Sequence, residues 1–248
     1  MMKQLFALEV SKCVDKEILK RTKNQEQRDY IGGSQIGVEC SRKIQYPSIL
    51  KEQRDPVEPR VQRIFDLGNL IEDYLIRLLR DAGFDIRTRK DNGDQWGFSL
   101  ADGRIQGHVD GVIMGGPKVM DYPCLVEFKS AKSSRFTKFL RDGLMQTDSN
   151  YYSQVQFYQT NMNLCNPALF VMMSKDDQNI YYELIQHNPA HASRLLDKSE
   201  DILNAIDNNY LMPKAYQDKN NWNCKYCDYK KECWSDDTIK IETPIWNQ

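Results

Sequence analysis

The sequence predicts an α/β protein, and three observations carry that expectation. An amphipathic stretch of helical period runs from Val61 to about Ala82; strand-like runs divided by Gly, Asn and Pro turns follow it; helical and strand-like segments then alternate to about Ile206. The 248 residues suffice for one sizeable core with a small appendage, and are too few for a motor joined to it.

Composition narrows the function classes. With 40% hydrophobic and 28% charged residues the chain is expected to fold and remain soluble. Lys and Arg total 34 against 35 Asp and Glu, for a formal charge of -1, so any nucleic-acid site must be local. The seven cysteines are an odd number, and MMKQLFALEV has only a short apolar stretch before Lys12, Asp15 and Lys16; no secretory leader and a reducing, cytoplasmic setting are expected. No run approaches the roughly 18 apolar residues that span a bilayer, so no membrane partner is expected. There is no internal repeat and no G-x-x-x-x-G-K-[ST], so ATP-driven unwinding would come from a partner.

Taken in order, SQIGVECSRKIQY at 34–46 reads as a short helix with Ser34 as N-cap, because Ile36, Cys40 and Ile44 recur at four-residue steps. KEQRDPVEPR at 51–60 is polar with two prolines and reads as a loop. The helix from Val61 places Ile64, Leu67, Ile71, Leu75, Leu78 and Leu79 on one core face, and Gly83 ends it. Strands are expected over 84–89, 96–100, 104–114 and 124–129 as an antiparallel meander, since Asn92-Gly93, Asp102-Gly103 and Gly115-Gly116-Pro117 separate them. Helices near 134–142 and 150–163, strands near 168–174 and 179–186, and a helix over 189–206 complete the core. Residues 1–60 are expected to form an N-terminal helical segment, 61–210 the core, and 211–248 a cysteine-rich segment packed on it.

Chemistry concentrates in two places. In LVEFKS, Glu127 and Lys129 are two apart on a strand and share a face, while Val126 and Phe128 face the other way. GHVDGV brings Asp110 to the end of the preceding strand, and the turn at Gly115-Gly116 folds it back toward them. Hard oxygen ligands of this kind suit Mg²⁺ or Mn²⁺, which would hold a phosphate oxygen and a water beside the ammonium. Phosphodiester hydrolysis is the natural use. An isolated E-x-K is also a common cross-strand pair on sheet surfaces, so the motif does not stand alone. The second place is Cys224, Cys227 and Cys233, spaced C-x2-C-x5-C, a pattern that metal ligation explains.

GHVDGV followed by LVEFKS resembles the D…E-x-K signature of PD-(D/E)xK nucleases. Gln154 and Tyr158 in YYSQVQFYQ match the Q-x-x-x-Y element of the RecB-like branch, one helical turn apart on a single face. GNLIEDYL puts Glu72 where many RecB-like enzymes have a histidine and related exonuclease branches a glutamate. Cys40 in VECSRK resembles the lone N-terminal cysteine that completes a four-cysteine site in the iron-sulfur members, which include CRISPR-associated and viral exonucleases. The likeness covers about residues 34–234.

The resemblance implies a restriction-endonuclease-like core, a mixed central sheet flanked by helices, with a cysteine-clasped lobe built from both chain ends. It implies a metal-dependent DNA exonuclease of recombination, repair or viral replication. Asp110, Glu127, Glu72 and the Phe128 carbonyl would be metal ligands, Lys129 would stand at the attacking water, and Gln154 and Tyr158 would position lysine or DNA. It also implies a [4Fe-4S] cluster on Cys40, Cys224, Cys227 and Cys233; four cysteines by themselves would suit structural Zn²⁺ as well. A CRISPR spacer-trimming role and a catalytically idle DNA-binding scaffold are alternatives. A recombinase, helicase or single-strand-binding protein would be a fitting partner.

Other residues carry weaker signals. Lys132, Arg135, Lys138 and Arg141 recur every three residues and would track the phosphates of DNA along one helix side, or simply form a solvated face. Trp222, Tyr226, Tyr229 and Trp234 surround the C-terminal cysteines, where shielding a metal group is the preferred reading over stacking on bases. His108 shares a strand face with Asp110 and reads as a polar neighbour of the site. His187 and His191 have metal-like spacing, but Pro189 lies between them and no H-E-x-x-H glutamate is present, so ligation is not expected. Cys13, Cys124 and Cys165 read as buried or free thiols.

Overall fold

A parallel pair of strands, Cys124–Ala131 and Ala168–Ser174, forms the middle of the molecule. The computed structural model describes residues 2–23, 28, 30–50 and 57–235. Its elements are α1 (Met2–Lys23), β1 (Ile31–Gly32), a 3-10 turn at Gly33–Gln35, α2 (Ser41–Ile49), α3 (Pro59–Asp81), β2 (Ile86–Arg87), β3 (Gly97–Leu100), β4 (Ile105–His108), β5 (Gly111–Ile113), β6 (Cys124–Ala131), α4 (Ser133–Thr147), α5 (Ser149–Asn161), β7 (Ala168–Ser174), β8 (Ile180–Ile185), α6 (Pro189–Asp207), α7 (Trp222–Lys225) and α8 (Lys230–Trp234). The main sheet has the order β2-β5-β6-β7-β8, antiparallel except between β6 and β7. A parallel neighbour requires a crossover, and α4 with α5 supplies it. A smaller sheet, β1-β4-β3, lies beside it with β1 parallel to β4.

The alternation of β6 and β7 divides the core into two faces. Val126, Phe128, Leu169 and Val171 pack with Leu75, Ile76 and Leu79 of α3. Leu125, Ala131, Phe170 and Met172 face the other way, toward Phe139 of α4, Val155 and Phe157 of α5, and Ile202 of α6. Every residue of β7 is buried, as expected for a strand covered on both faces. Truncating Phe157 or Phe170, both fully buried, is expected to cost about 3–5 kcal/mol.

Several expectations need correction. The helix over 34–46 is instead a 3-10 turn and a helix that starts only at Ser41, with Cys40 as its N-cap. The cause is the close approach of Gly37 to α5: a Cβ there would lie 2.7 Å from the Ser153 Cβ and 3.0 Å from the Asn150 Cα, so only glycine passes. The strand over 104–114 breaks at Val109-Asp110 and its halves join different sheets, so the meander is not continuous. Val109 is fully buried, and Asp110 turns its carboxylate onto β6. Ile64 and Leu67 are not core; they are 41% and 45% exposed, and the first half of α3 is joined to α1 through the ion pairs Arg21–Asp66 at 2.6 Å and Arg63–Asp15 at 2.5 Å. The helix expected at 134–142 continues to Thr147 across a kink at Gly143 (φ 74°), where Glu183 accepts from the Leu144 N–H at 2.8 Å. Residues 51–56 of the expected loop lie outside the described residues. Among the described residues no helix is long and apolar enough to cross a membrane.

Candidate active site and cysteine cavity

β6 supplies Glu127 and Lys129 from one face, and α5 covers that face. Glu127 is 0% exposed. Its Oε1 takes a hydrogen bond from Gln154 Nε2 at 2.6 Å and pairs with the Lys129 ammonium. Its Oε2 is buried with no hydrogen-bond partner, an arrangement that costs free energy unless another group completes it. Asp110, at the break between β4 and β5, accepts from the Phe128 N–H at 2.8 Å and so stands against the same strand. Glu72 of α3 is within electrostatic reach of Asp110 and Lys129.

These groups act on one another electrostatically. Burial, then the Asp110 charge, pushes the Glu127 carboxyl up, while Lys129 opposes the shift. Burial and Asp110 likewise push Glu72 up to about 7. Burial pulls the Lys129 ammonium down, but Glu127 and Asp110 reverse this, and it is held above its ordinary value. Carboxyl groups raised in this way beside a single lysine are a setting in which a bound cation would favour their charged form. Among the described residues no three His, Cys, Asp or Glu side chains are already drawn into a group able to hold a metal.

Tyr158 is 3% exposed and its phenol is raised, first by burial and then by Glu127. Its ring packs edge-on to Phe98 at 5.4 Å, and Gly33 and Gly107 make room for it: a Cβ at either would come within 2.8 Å or 3.0 Å of its Cε1. Gln154 bonds Glu127 directly, and Tyr158, one helical turn on along α5, is within electrostatic reach of it.

At the N-terminal end of α5 lies a cavity of about 250 Å³. Cys40, Cys224, Cys227 and Cys233 all line it, together with Lys43, Tyr46, Ser149 and Asn150. Burial pushes the Cys227 thiol up to about 11, Lys43 opposing, with Cys40 and Cys233 among its charged neighbours. Lys198 of α6 donates to the carbonyls of Ile36, at 3.0 Å, and Val38, fixing the approach to Cys40. The donor set fits a four-thiolate group, although the thiols are not closed around one point.

Two solved structures share this arrangement of elements. SSO0001 aligns with a TM-score of 0.50 and 16% identity over 93% of this chain and 98% of its own. The alkaline exonuclease LHK-Exo from Laribacter hongkongensis aligns with a TM-score of 0.52 and 13% identity over 76% of this chain and 91% of its own. The likeness is one of fold. No protein-family profile and no curated protein sequence matches the chain.

The basic strip is less free than its spacing suggests. Arg135 pairs with Asp148, which also accepts from the N–H groups of Asn150 and Tyr151 at 3.0 Å as the N-cap of α5. Arg141 pairs with its neighbour Asp142 at 2.6 Å. His108 is exposed. His187 and His191 contact Thr160 at 2.8 Å and Ser153 at 2.9 Å, so both are satisfied by hydroxyls. Cys124 is buried, and Cys13 and Cys165 are exposed.

Sequence reasoning missed Tyr151. Its ring lies 5.1 Å from the Lys129 ammonium and 5.6 Å from the Arg135 guanidinium, so it bridges the lysine and the first arginine of the strip. Its place three residues before Gln154 is the signal that marks it, because i,i+3 pairs share a helix face. Gly33 and Gly107 also escaped notice, since a steric role for glycine appears only when the opposing ring is known.

Proposed function

We propose that this protein is a divalent-metal-dependent deoxyribonuclease, acting as an exonuclease on DNA ends. The observation that carries the reading is the divided carboxylate of Glu127: Oε1 is held by Lys129 and Gln154, and the buried Oε2 is left without a partner. Asp110, Glu127, Glu72 and the Phe128 carbonyl are the groups that would hold Mg²⁺ or Mn²⁺, whose charge would polarise a phosphate oxygen and acidify a water. Lys129, kept protonated by its carboxylate neighbours, would orient that water. Gln154 fixes Glu127, and Tyr158 supports it from the same helix face. The fold likeness to an alkaline exonuclease supports the reaction class and DNA as substrate.

Residues 61–210 would carry catalysis, while 1–60 and 211–248 would supply the cysteine lobe. Cys40, Cys224, Cys227 and Cys233 would hold a [4Fe-4S] cluster, and their meeting around one cavity favours this over unrelated thiols. Structural Zn²⁺ would use the same four sulfurs.

Purified Glu127→Ala and Lys129→Ala chains should still bind end-labelled DNA and lose metal-dependent cleavage by about 10²–10⁴-fold. Unchanged turnover in both would refute the assignment. Protein purified without oxygen should be brown with about four irons per chain, and stoichiometric zinc without iron would refute the cluster.

A further inference from the structure

The four aromatic residues around the C-terminal cysteines divide into two pairs. Tyr229 is buried and stacks on Tyr46 at 4.9 Å, and Trp234 lines the cavity under the Lys214 ammonium at 4.2 Å. Trp222 and Tyr226 do the opposite: they are 72% and 60% exposed, with ring centroids 4.5 Å apart and an interplanar angle of 61°. α7 is placed by polar bonds of its neighbours, the Asn223 side chain donating to the Tyr216 hydroxyl at 2.5 Å and that hydroxyl donating to Glu39 at 2.6 Å. Two large rings in contact with each other and both exposed to water form a patch suited to a ligand.

The charge around them indicates which ligand. Residues 211–235 hold five lysines against three acids, in a chain whose overall charge is -1. Lys225 lies 5.7 Å over the Tyr226 ring, and Lys225 and Lys231 are both exposed, with Asp228 and Glu232 the nearby acids in sequence. Exposed aromatic faces beside exposed ammonium groups suit a ligand with flat rings and a phosphate backbone. The position fits as well. Asn223 and Cys224 line the cavity that Ser149 and Asn150 of α5 also line, and Asn150 precedes Gln154 by one helical turn, about 6 Å along the axis.

We propose that Trp222 and Tyr226 form a stacking step for unpaired bases, with Lys225 and Lys231 on the adjoining phosphates, so that the lobe holds single-stranded DNA, or the frayed end of a duplex, beside the catalytic strand. The choice of DNA rests on the nuclease reading.

The test uses the full chain carrying Glu127→Ala, which spares the probe, and fluorescence anisotropy with a labelled oligothymidine and a blunt duplex of equal length. Adding Trp222→Ala with Tyr226→Ala should weaken single-strand binding at least about tenfold, the change that 1.4 kcal/mol of lost stacking gives, and move duplex binding by less than about twofold. Trp222→Phe should retain most of the affinity. Lys225→Ala and Lys231→Ala should each lower the salt slope for the single strand by about 0.7. Equal single-strand affinity with and without the alanine pair overturns the proposal, and a ligand of another class, such as a protein, would then be the reading for this surface. If the alanine pair unfolds, Trp222→Leu keeps the apolar bulk, and undiminished affinity in that variant overturns the proposal equally. Absence of DNA cleavage by the unsubstituted chain would instead defeat the nuclease reading.

Discussion

Glu127, beside Gln154 of α5, and Cys227, in the cavity at the N-terminal end of that helix, are held in opposite ways. Glu127 lies on the long strand β6, fully buried, with Lys129 and Gln154 on one oxygen and Asp110 bonded to the next residue's N–H. Cys227 lies between two helices of four and five residues, half-buried, in a segment tied to the core by the stacking of Tyr229 on Tyr46 and by hydrogen bonds such as Arg42 to the Met212 carbonyl and Gln45 to the Tyr210 carbonyl. The chain itself assembles the carboxylate site. The cysteine lobe is arranged but not closed, and a bound group would finish it. Removing a residue should therefore affect chemistry at one site and stability at the other.

That contrast can be broken at either site. Of the substitutions that separate the two regions, the largest effect is expected from Gln154→Ala, which leaves Glu127 with one fewer partner; turnover should fall about 10–100-fold, more than the thermal midpoint moves. Steady-state cleavage beside a thermal melt would check it, and a large loss of stability with normal turnover would reverse the roles of the two regions. Cys227→Ser should do the converse, lowering stability by about 2 kcal/mol, roughly 5 °C for a chain of this size, if a four-cysteine group clasps the lobe. A midpoint that does not move would show that the lobe holds without one. The smallest effect concerns pH. Burial, with Arg194, holds the His191 imidazole below its usual value, so the unfolded chain takes up the proton first as pH falls below about 6.5. Stability should then decline on acidification through that range and be unaffected above it. His191→Asn should flatten this limb in urea titrations, whereas a steeper limb would contradict the shift.

The same comparison explains what the sequence reveals. β6 and β7 are legible because buried strands read as short apolar runs, and the acid and base on β6 stand out against them. The second half of α3 is legible for the same reason. Its first half misleads: Ile64 and Leu67 have the period of a core face, but periodicity says which side is apolar and not whether anything covers it. The break at Val109-Asp110 was hidden because both halves have strand composition, and only the bond from Asp110 to the Phe128 N–H, 18 residues away in sequence, explains the bend. The convergence of Cys40 with the C-terminal cysteines is equally non-local, so only the resemblance suggested it.

The bond from Asp110 to the Phe128 N–H has one more effect. β6 pairs with β7 so that Glu127 faces Phe170 and Lys129 faces Met172. A slip of one residue would turn both toward α3 and put Phe128 in their place. Because Asp110 grips the backbone between the two, it acts as a ruler for that alignment. A chain that folds with its strands out of step would lose acid, base and ruler together, so misfolded forms should be inert, never partly active.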